Sequence, residues 1–293
     1  MQLNSGYVGI ECRPLEIEIS AKQCMYYAAA TGDENPLFLD DTREAGIIAP
    51  PMLAVSLTWP LSARVKDFWG KSDFPIEVLT RQVHYSEILR WHKSMRPGDR
   101  LRVQGRVAAI LPHRAGTHLV LEYTARDKDD DIVFVERIGG FLRGVKCTDA
   151  GKGEVFPGLA DAPAGNTAPL WSKKVAIPLL APYIYDGLAD VHFPIHVSPA
   201  FAKGVGLPGI IFHGTGTMAL AVRELVREEA DNNPQRLLAA QCRFTGMVMP
   251  DSEIRVDLLS RDVGDDRTMC HFVVRNEADK IVLNNGCVTI ALT

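Results

Sequence analysis

The feature that most limits what this chain can fold into is an internal repeat. In the first half, Gly32-Asp33-Glu34-Asn35-Pro36-Leu37-Phe38 precedes Ile47-Ile48-Ala49-Pro50-Pro51-Met52, and strand-like segments follow near 101–110, 118–126 and 132–143. In the second, the segment from Asp190 to His196 precedes Ile210-Ile211-Phe212-His213-Gly214, and strand-like segments follow near 237–244, 253–260, 268–275 and 281–291. Aligning Phe38 with His196 sets the copies 158 residues apart, and aligning Pro97 with Pro250 sets them 153 apart. That is a duplication with small insertions. Between the copies, residues 149–170 are rich in Gly, Ala and Pro and show no sustained apolar period, which predicts a linker. The expected division is therefore an N-terminal unit over 1–148, a linker over 149–170 and a C-terminal unit over 171–293.

The segment from Thr215 to Ala230 shows what each unit contains. Met218 to Val222 are apolar on every side, whereas Arg223, Glu224, Arg227, Glu228 and Glu229 are charged. A helix of this kind enters the protein buried and leaves it exposed. The strands that follow alternate, with Ile254, Val256 and Leu258 set against Arg255 and Asp257, so one sheet face is covered and the other is wetter. The expected fold class is α+β, a double hotdog in which two antiparallel sheets each wrap a central helix.

Several function classes are excluded early. The 32 Lys and Arg are scattered among 36 Asp and Glu, with a formal net charge of −4, so no basic stripe is offered to nucleic acid. Six cysteines lie far apart without a CxxC pair, which predicts reduced core thiols rather than a zinc knuckle or a disulfide framework. The uncharged stretch from Gly46 to Ala63 holds Pro50, Pro51 and Pro60, and is expected to be buried core rather than a membrane span. The start of the chain has no basic segment leading into an apolar run, so a cytoplasmic setting is expected. His84, His92, His113, His118 and His271 show no metal spacing, and no cofactor is expected. Trp59, Trp69, Trp91 and Phe68 read as core or as the wall of an acyl tunnel. No GxGxxG after a strand, no GxSxG and no Walker A sequence is present.

The segment from Tyr185 to His196, then Ser198-Pro199-Ala200-Phe201-Ala202, then Gly206 to Thr215, resembles the MaoC-like (R)-specific enoyl-CoA hydratases and 3-hydroxyacyl-thioester dehydratases. The family's order is an Asp, then Asn-Pro-Leu/Ile-His, then a Phe-Ala pair, then Ile-Leu-His-Gly at the start of the central helix. The first half resembles a worn copy of the same unit. The resemblance implies a hydro-lyase acting on an acyl-CoA or acyl-carrier-protein thioester. Asp190 and His196 would be catalytic, and His213, Gly214, Thr215, Phe193 and Tyr185 would lie along the substrate. Elimination of water needs a base for the α-proton, an acid for the departing hydroxyl and donors for the enolate-like oxygen. An imidazole serves on either side of that exchange, and helix-end amides supply the oxygen contact.

His196 follows Pro194-Ile195, a rigid lead-in, while the matching residue of the first half is Phe38, so a single site per chain is expected. The family's Asp precedes its His by five positions, but Val191 stands there and the carboxylate is one residue further back, and Phe193 replaces the Asn before Pro194. Either a one-residue insertion keeps Asp190 in the site, or the carboxylate has moved out and His192 or a water does part of its work. The insertion is favoured because it also puts Tyr185 in its expected place. His213 reads as an orienting residue, Thr215 or Thr217 as a cap for the helix start, and Ser198 as a helix N-cap ahead of Pro199. Two alternatives stay open: a hotdog thioesterase, and an acyl-thioester-binding subunit that needs a partner hotdog chain. A homodimer is the expected assembly.

Overall fold

A computed structural model describes residues 1–70, 73–154 and 168–292. In chain order its elements begin with β1 (Gln2–Leu3), β2 (Leu15–Glu18), α1 (Ala21–Ala30), α2 (Pro36–Leu39), α3 (Leu53–Ala63) and α4 (Val65–Trp69). The strands β3 (Gln82–Trp91), β4 (Arg100–His113), β5 (Gly116–Arg126), β6 (Ile132–Arg143), β7 (Lys146–Cys147), β8 (Lys152–Gly153) and β9 (Trp171–Ile177) follow. Next come α5 (Ala181–Leu188), α6 (Pro194–Val197), α7 (Pro199–Gly204) and α8 (Gly214–Glu229). The chain closes with β10 (Leu237–Phe244), β11 (Ser252–Val263), β12 (Arg267–Asn276) and β13 (Ile281–Ala291). Of the linker expected over 149–170, residues 155–167 lie outside the described residues. No helix among the described residues is long and apolar enough to cross a membrane.

The chain divides by mutual contact into two units, and these partition it differently from the two sequence halves. Unit 1 holds Met1–Ile17, Leu57–Lys93 and Arg100–Leu159, while unit 2 holds Glu18–Ser56, Ser94–Asp99 and Ala160–Thr293.

In unit 1, β4, β5, β6 and β3 form consecutive antiparallel pairs. The buried face includes Val103, Val107, Leu119, Leu121 and Tyr123. The Tyr123 hydroxyl meets Ser62 Oγ of α3 at 2.9 Å, and Trp69 Nε1 donates to the Leu61 carbonyl at 3.2 Å. These bonds let large rings enter the core without stranding a polar atom. Helix α3 runs through Pro60, which removes one intrahelical donor without ending the helix. A pair of acids also lies inside this unit. Glu87 and Glu136 are fully buried diagonal neighbours on β3 and β6, with His84 Nε2 3.0 Å from Glu87.

In unit 2, β10, β13, β12, β11 and β9 are antiparallel in that order. Helix α8 behaves as its composition requires: Thr215 to Val222 are buried, and Arg227 and Glu228 emerge into solvent. Glu224 stays buried because Arg223 and Arg227 neutralise it. Helix α1 starts at a capping box in which Ser20 and Gln23 satisfy each other's backbone amides. It carries Tyr27, whose hydroxyl lies 3.2 Å from that of Tyr185 on α5, a residue 158 positions further along. That separation equals the one between Phe38 and His196, so equivalent residues of the two copies meet. Tyr27→Phe is expected to lower stability by about 1 kcal/mol, the usual net worth of a buried hydrogen bond. A chemical-denaturation midpoint unchanged from wild type would contradict it.

All six cysteines are buried and free of disulfides. Burial pushes the Cys12 and Cys24 thiols up to about 11, which leaves them poor nucleophiles.

Candidate active site

The site is built on α5, α6 and the start of α8, all within unit 2. Helix α6 begins with Pro194 at its first position, where a missing N–H costs nothing. The equivalent α2 begins the same way at Pro36, with the Asn35 side chain accepting from the Leu37 amide as its cap. Phe193 replaces that cap in the second half, leaving α6 without a side-chain cap and placing a 43% exposed ring beside the site. The Phe193 ring lies 6.4 Å from the His196 ring and 6.4 Å from that of Phe201.

His196 is held by two contacts. Its Nδ1 donates to the Ile211 carbonyl at 2.8 Å, which fixes the tautomer and leaves Nε2 as an acceptor. Its ring stacks on that of His213 with centroids 3.7 Å apart and an interplanar angle of 23°. Two stacked imidazoles cannot both become cationic without strong repulsion. Burial lowers His196 to about 4. His213 is depressed further, first by its own burial and then by the charge of His196, with a smaller contribution from His192. Both rings are therefore neutral at pH 7, and His196 is a base in waiting rather than an acid.

His213 is the N-cap residue of α8, with Nε2 donating to the Val191 carbonyl at 3.2 Å and Nδ1 buried without a hydrogen-bond partner among the described residues. The first backbone bond into the helix is Thr217 N–H to the His213 carbonyl. The amides of Gly214, Thr215 and Gly216 are thus the unpaired donors that every helix start leaves, next to the positive end of the dipole. Two glycines here are matters of space. A Cβ on Gly214 would meet the Phe244 ring at 3.0 Å, and one on Gly216 would meet the Phe212 ring at 2.7 Å.

The remaining expected residues divide. Thr215 turns its side chain inward, accepting from the Tyr185 hydroxyl at 3.3 Å, and the fully buried Tyr185 ring lies 4.9 Å from His213. Asp190 is exposed, with a φ of 55°, a left-handed conformation that Asp tolerates better than most residues. Among the described residues no hydrogen bond or ion pair joins it to His196. The carboxylate that contacts an imidazole is Asp186 on α5, whose oxygens lie 2.9 and 3.0 Å from His192 Nδ1. Burial raises the Asp186 carboxyl above its ordinary range, and the bond to His192 opposes that. Sequence reasoning passed over Asp186, because its only signal was an Asp six positions before a His in a segment read against another spacing. No group of three or more His, Cys, Asp or Glu among the described residues is placed to hold a metal ion.

Residues 184–281 match the family model described as MaoC like domain, and residues 6–136 match the one described as FAS1-like, dehydratase domain region. The fatty acid synthase beta subunit pkiC of Emericella nidulans is 34% identical over 130 residues, covering 43% of this chain and 7% of that protein. Peroxisomal multifunctional enzyme type 2 of Drosophila melanogaster is 26% identical over 183 residues, covering 60% of this chain and 30% of that protein. The chain therefore spans less than a third of the length of these curated relatives. The crystal structure of a MaoC-like dehydratase from Phytophthora capsici superposes with a TM-score of 0.83 at 18% identity, covering 97% of both chains. The fold is the double hotdog.

Proposed function

From a chain that carries a MaoC like domain across residues 184–281, we propose a hydro-lyase that adds water to enoyl thioesters, or removes it from (R)-3-hydroxyacyl thioesters, at one site per chain. The observation that carries this reading is His196: a neutral imidazole with its Nδ1 proton committed to the Ile211 carbonyl and its Nε2 available. Beside it stands the first turn of α8, whose leading amides carry no intrahelical bond. A base next to convergent amide donors is what abstraction of a proton α to a carbonyl demands.

In dehydration, the thioester oxygen lies against the amides of Gly214 to Gly216, which stabilise it as negative charge develops. His196 Nε2 takes the α-proton, the electron pair becomes the new double bond, and the β-oxygen departs as water with a second proton, delivered to it by a donor other than His196. Hydration is the reverse. His213, stacked beneath His196, holds the base in place, and Phe193 offers an apolar surface at the entrance. The catalytic unit is the hotdog of residues 171–293. That of residues 1–148 carries the buried Phe38 where an imidazole would be needed, so no second site is assembled there. The relatives' names, a fatty acid synthase subunit and a peroxisomal multifunctional enzyme, favour a fatty-acyl thioester as substrate.

The test is spectroscopic. Purified protein is mixed with crotonyl-CoA and longer enoyl-CoA esters, and loss of the conjugated enoyl absorbance is followed together with free thiol. Loss of absorbance without thiol release is expected. Thiol release would identify a thioesterase, and neither change would leave an acyl-thioester-binding chain.

A further inference from the structure

Base catalysis at His196 accounts for half of the proton transfers, and the site as described lacks a donor for the other half. His196 begins the elimination without a proton on Nε2, and hydroxide is a poor leaving group unless it is protonated as it departs. Asp190, expected to complete the site, is exposed and joined to His196 by no described contact.

Two residues on, His192 has the build of a proton-transfer group. Its Nδ1 faces both oxygens of Asp186 at 2.9 and 3.0 Å, and Asp186 is only 6% exposed. The imidazole itself is 67% exposed, so Nε2 is accessible to water and to a bound substrate. A buried carboxylate behind Nδ1 orients an imidazole and stabilises its protonated form. Asp186 comes from the end of α5 and is further fixed by the Phe193 amide, so the pair is anchored to the peptide that leads into α6 and His196. His192 also sits between two residues that touch the stacked pair: the Val191 carbonyl before it accepts from His213 Nε2 at 3.2 Å, and the Phe193 ring after it lies 6.4 Å from the His196 ring.

We propose that His192, held by Asp186, is the second proton-transfer residue of this site, donating from Nε2 to the departing β-hydroxyl and, in hydration, taking a proton from the attacking water. The assignment rests on the hydro-lyase reading above. In elimination the Cα–H proton passes to His196 Nε2, the bonding pair becomes Cα=Cβ, the Cβ–O bond breaks, and the oxygen leaves with the His192 proton as water. His192 is left neutral, with its Nδ1 proton still directed at Asp186.

The experiment separates the two transfers with a leaving group that needs no proton. Elimination from a 3-hydroxyacyl-CoA and from the matching 3-fluoroacyl-CoA is measured for wild type, His192→Gln, His196→Ala and Asp190→Asn. His192→Gln is expected to slow loss of water about 100-fold or more, the usual contribution of a general acid. It should eliminate fluoride within about threefold of wild type, because fluoride departs as the anion while base catalysis is intact. His196→Ala is expected to lose both reactions. Because His192 is exposed, its replacement leaves the core undisturbed, and Asp186→Asn gives a second variant with the same selective loss. Wild-type dehydration by His192→Gln, equal losses on both substrates, or a selective loss in Asp190→Asn instead would overturn the proposal. A wild-type chain inactive on every thioester would overturn the hydro-lyase reading along with it.

Discussion

His196→Ala is expected to lower the rate of enoyl-thioester hydration by at least about 100-fold, the contribution of a positioned general base, while the protein stays folded. The ring is held from one side by a backbone carbonyl and from the other by His213, so its removal opens a small gap without stranding a charge. Circular dichroism and the thermal midpoint should remain close to wild type. A variant that is folded and hydrates crotonyl-CoA at the wild-type rate would remove His196 from the mechanism. The same residue sets the acid side of the pH profile. Burial lowers it to about 4, so the neutral, competent form persists well below the pH at which an ordinary histidine is protonated. The acid limb of kcat/KM is expected near pH 4 rather than near 6.5. A limb at the ordinary value would show that the imidazole is better solvated in solution than its surroundings indicate.

The second large effect concerns stability and comes from the acids inside unit 1. Burial raises Glu87 from 4.5 to about 8. Glu136 is pushed well above the usual carboxyl range, first by burial and then by Glu87, while nearby His84 is lowered to about 4 by its own burial. Near pH 6 the folded state thus keeps protons on these acids that the unfolded chain releases. The folded pKa lies above the unfolded one, so the associated stability is complete below about 4.5, erodes as pH climbs, and is gone above about 8. For Glu87 alone the change is on the order of 5 kcal/mol. Calorimetric midpoints are expected to fall steeply between pH 5 and 8.5 in wild type, and less steeply in Glu87→Gln, where an amide replaces one of the two protonated acids. Equal falls in the two proteins would place the alkaline sensitivity elsewhere.

Those acids also explain what the sequence concealed. The strands near 101–110, 118–126 and 132–143, and the four after α8, are legible because their apolar residues alternate or run together. Strand β3 was not, although it is a central partner of β6. Ser86 and Glu87 interrupt its apolar pattern, yet both are buried. An acid that keeps its proton behaves in the core as a neutral hydrogen-bonding group, and no periodicity of residue types reveals its protonation state. A register shift between His84 and Ser86 blurs the alternation further.

At the site, His196 was legible from its rigid lead-in and from its contrast with Phe38, and the start of α8 from His213-Gly214. The carboxylate was harder. One extra residue between Asp190 and His196 shifts every spacing, and a count along the chain cannot say whether a loop absorbs the insertion or rotates a side chain outward. Nor does a count show that Asp186, at the end of a preceding helix, faces His192.

The meeting of Tyr27 with Tyr185 bears on how a duplicated chain ages. The segment of the first copy that carries Tyr27, Asn35 and Phe38 is packed within unit 2, where Asn35 donates to the Asn232 carbonyl and Arg223 of α8 reaches the Thr31 carbonyl. The first copy can therefore lose its imidazole without becoming dispensable, since its partner's core is now partly made from it. Selection on one half becomes selection on both. A gene trimmed to residues 171–293 would encode a reactive histidine on a scaffold missing part of its own interior, and for such a chain the route back to a single-copy ancestor is closed.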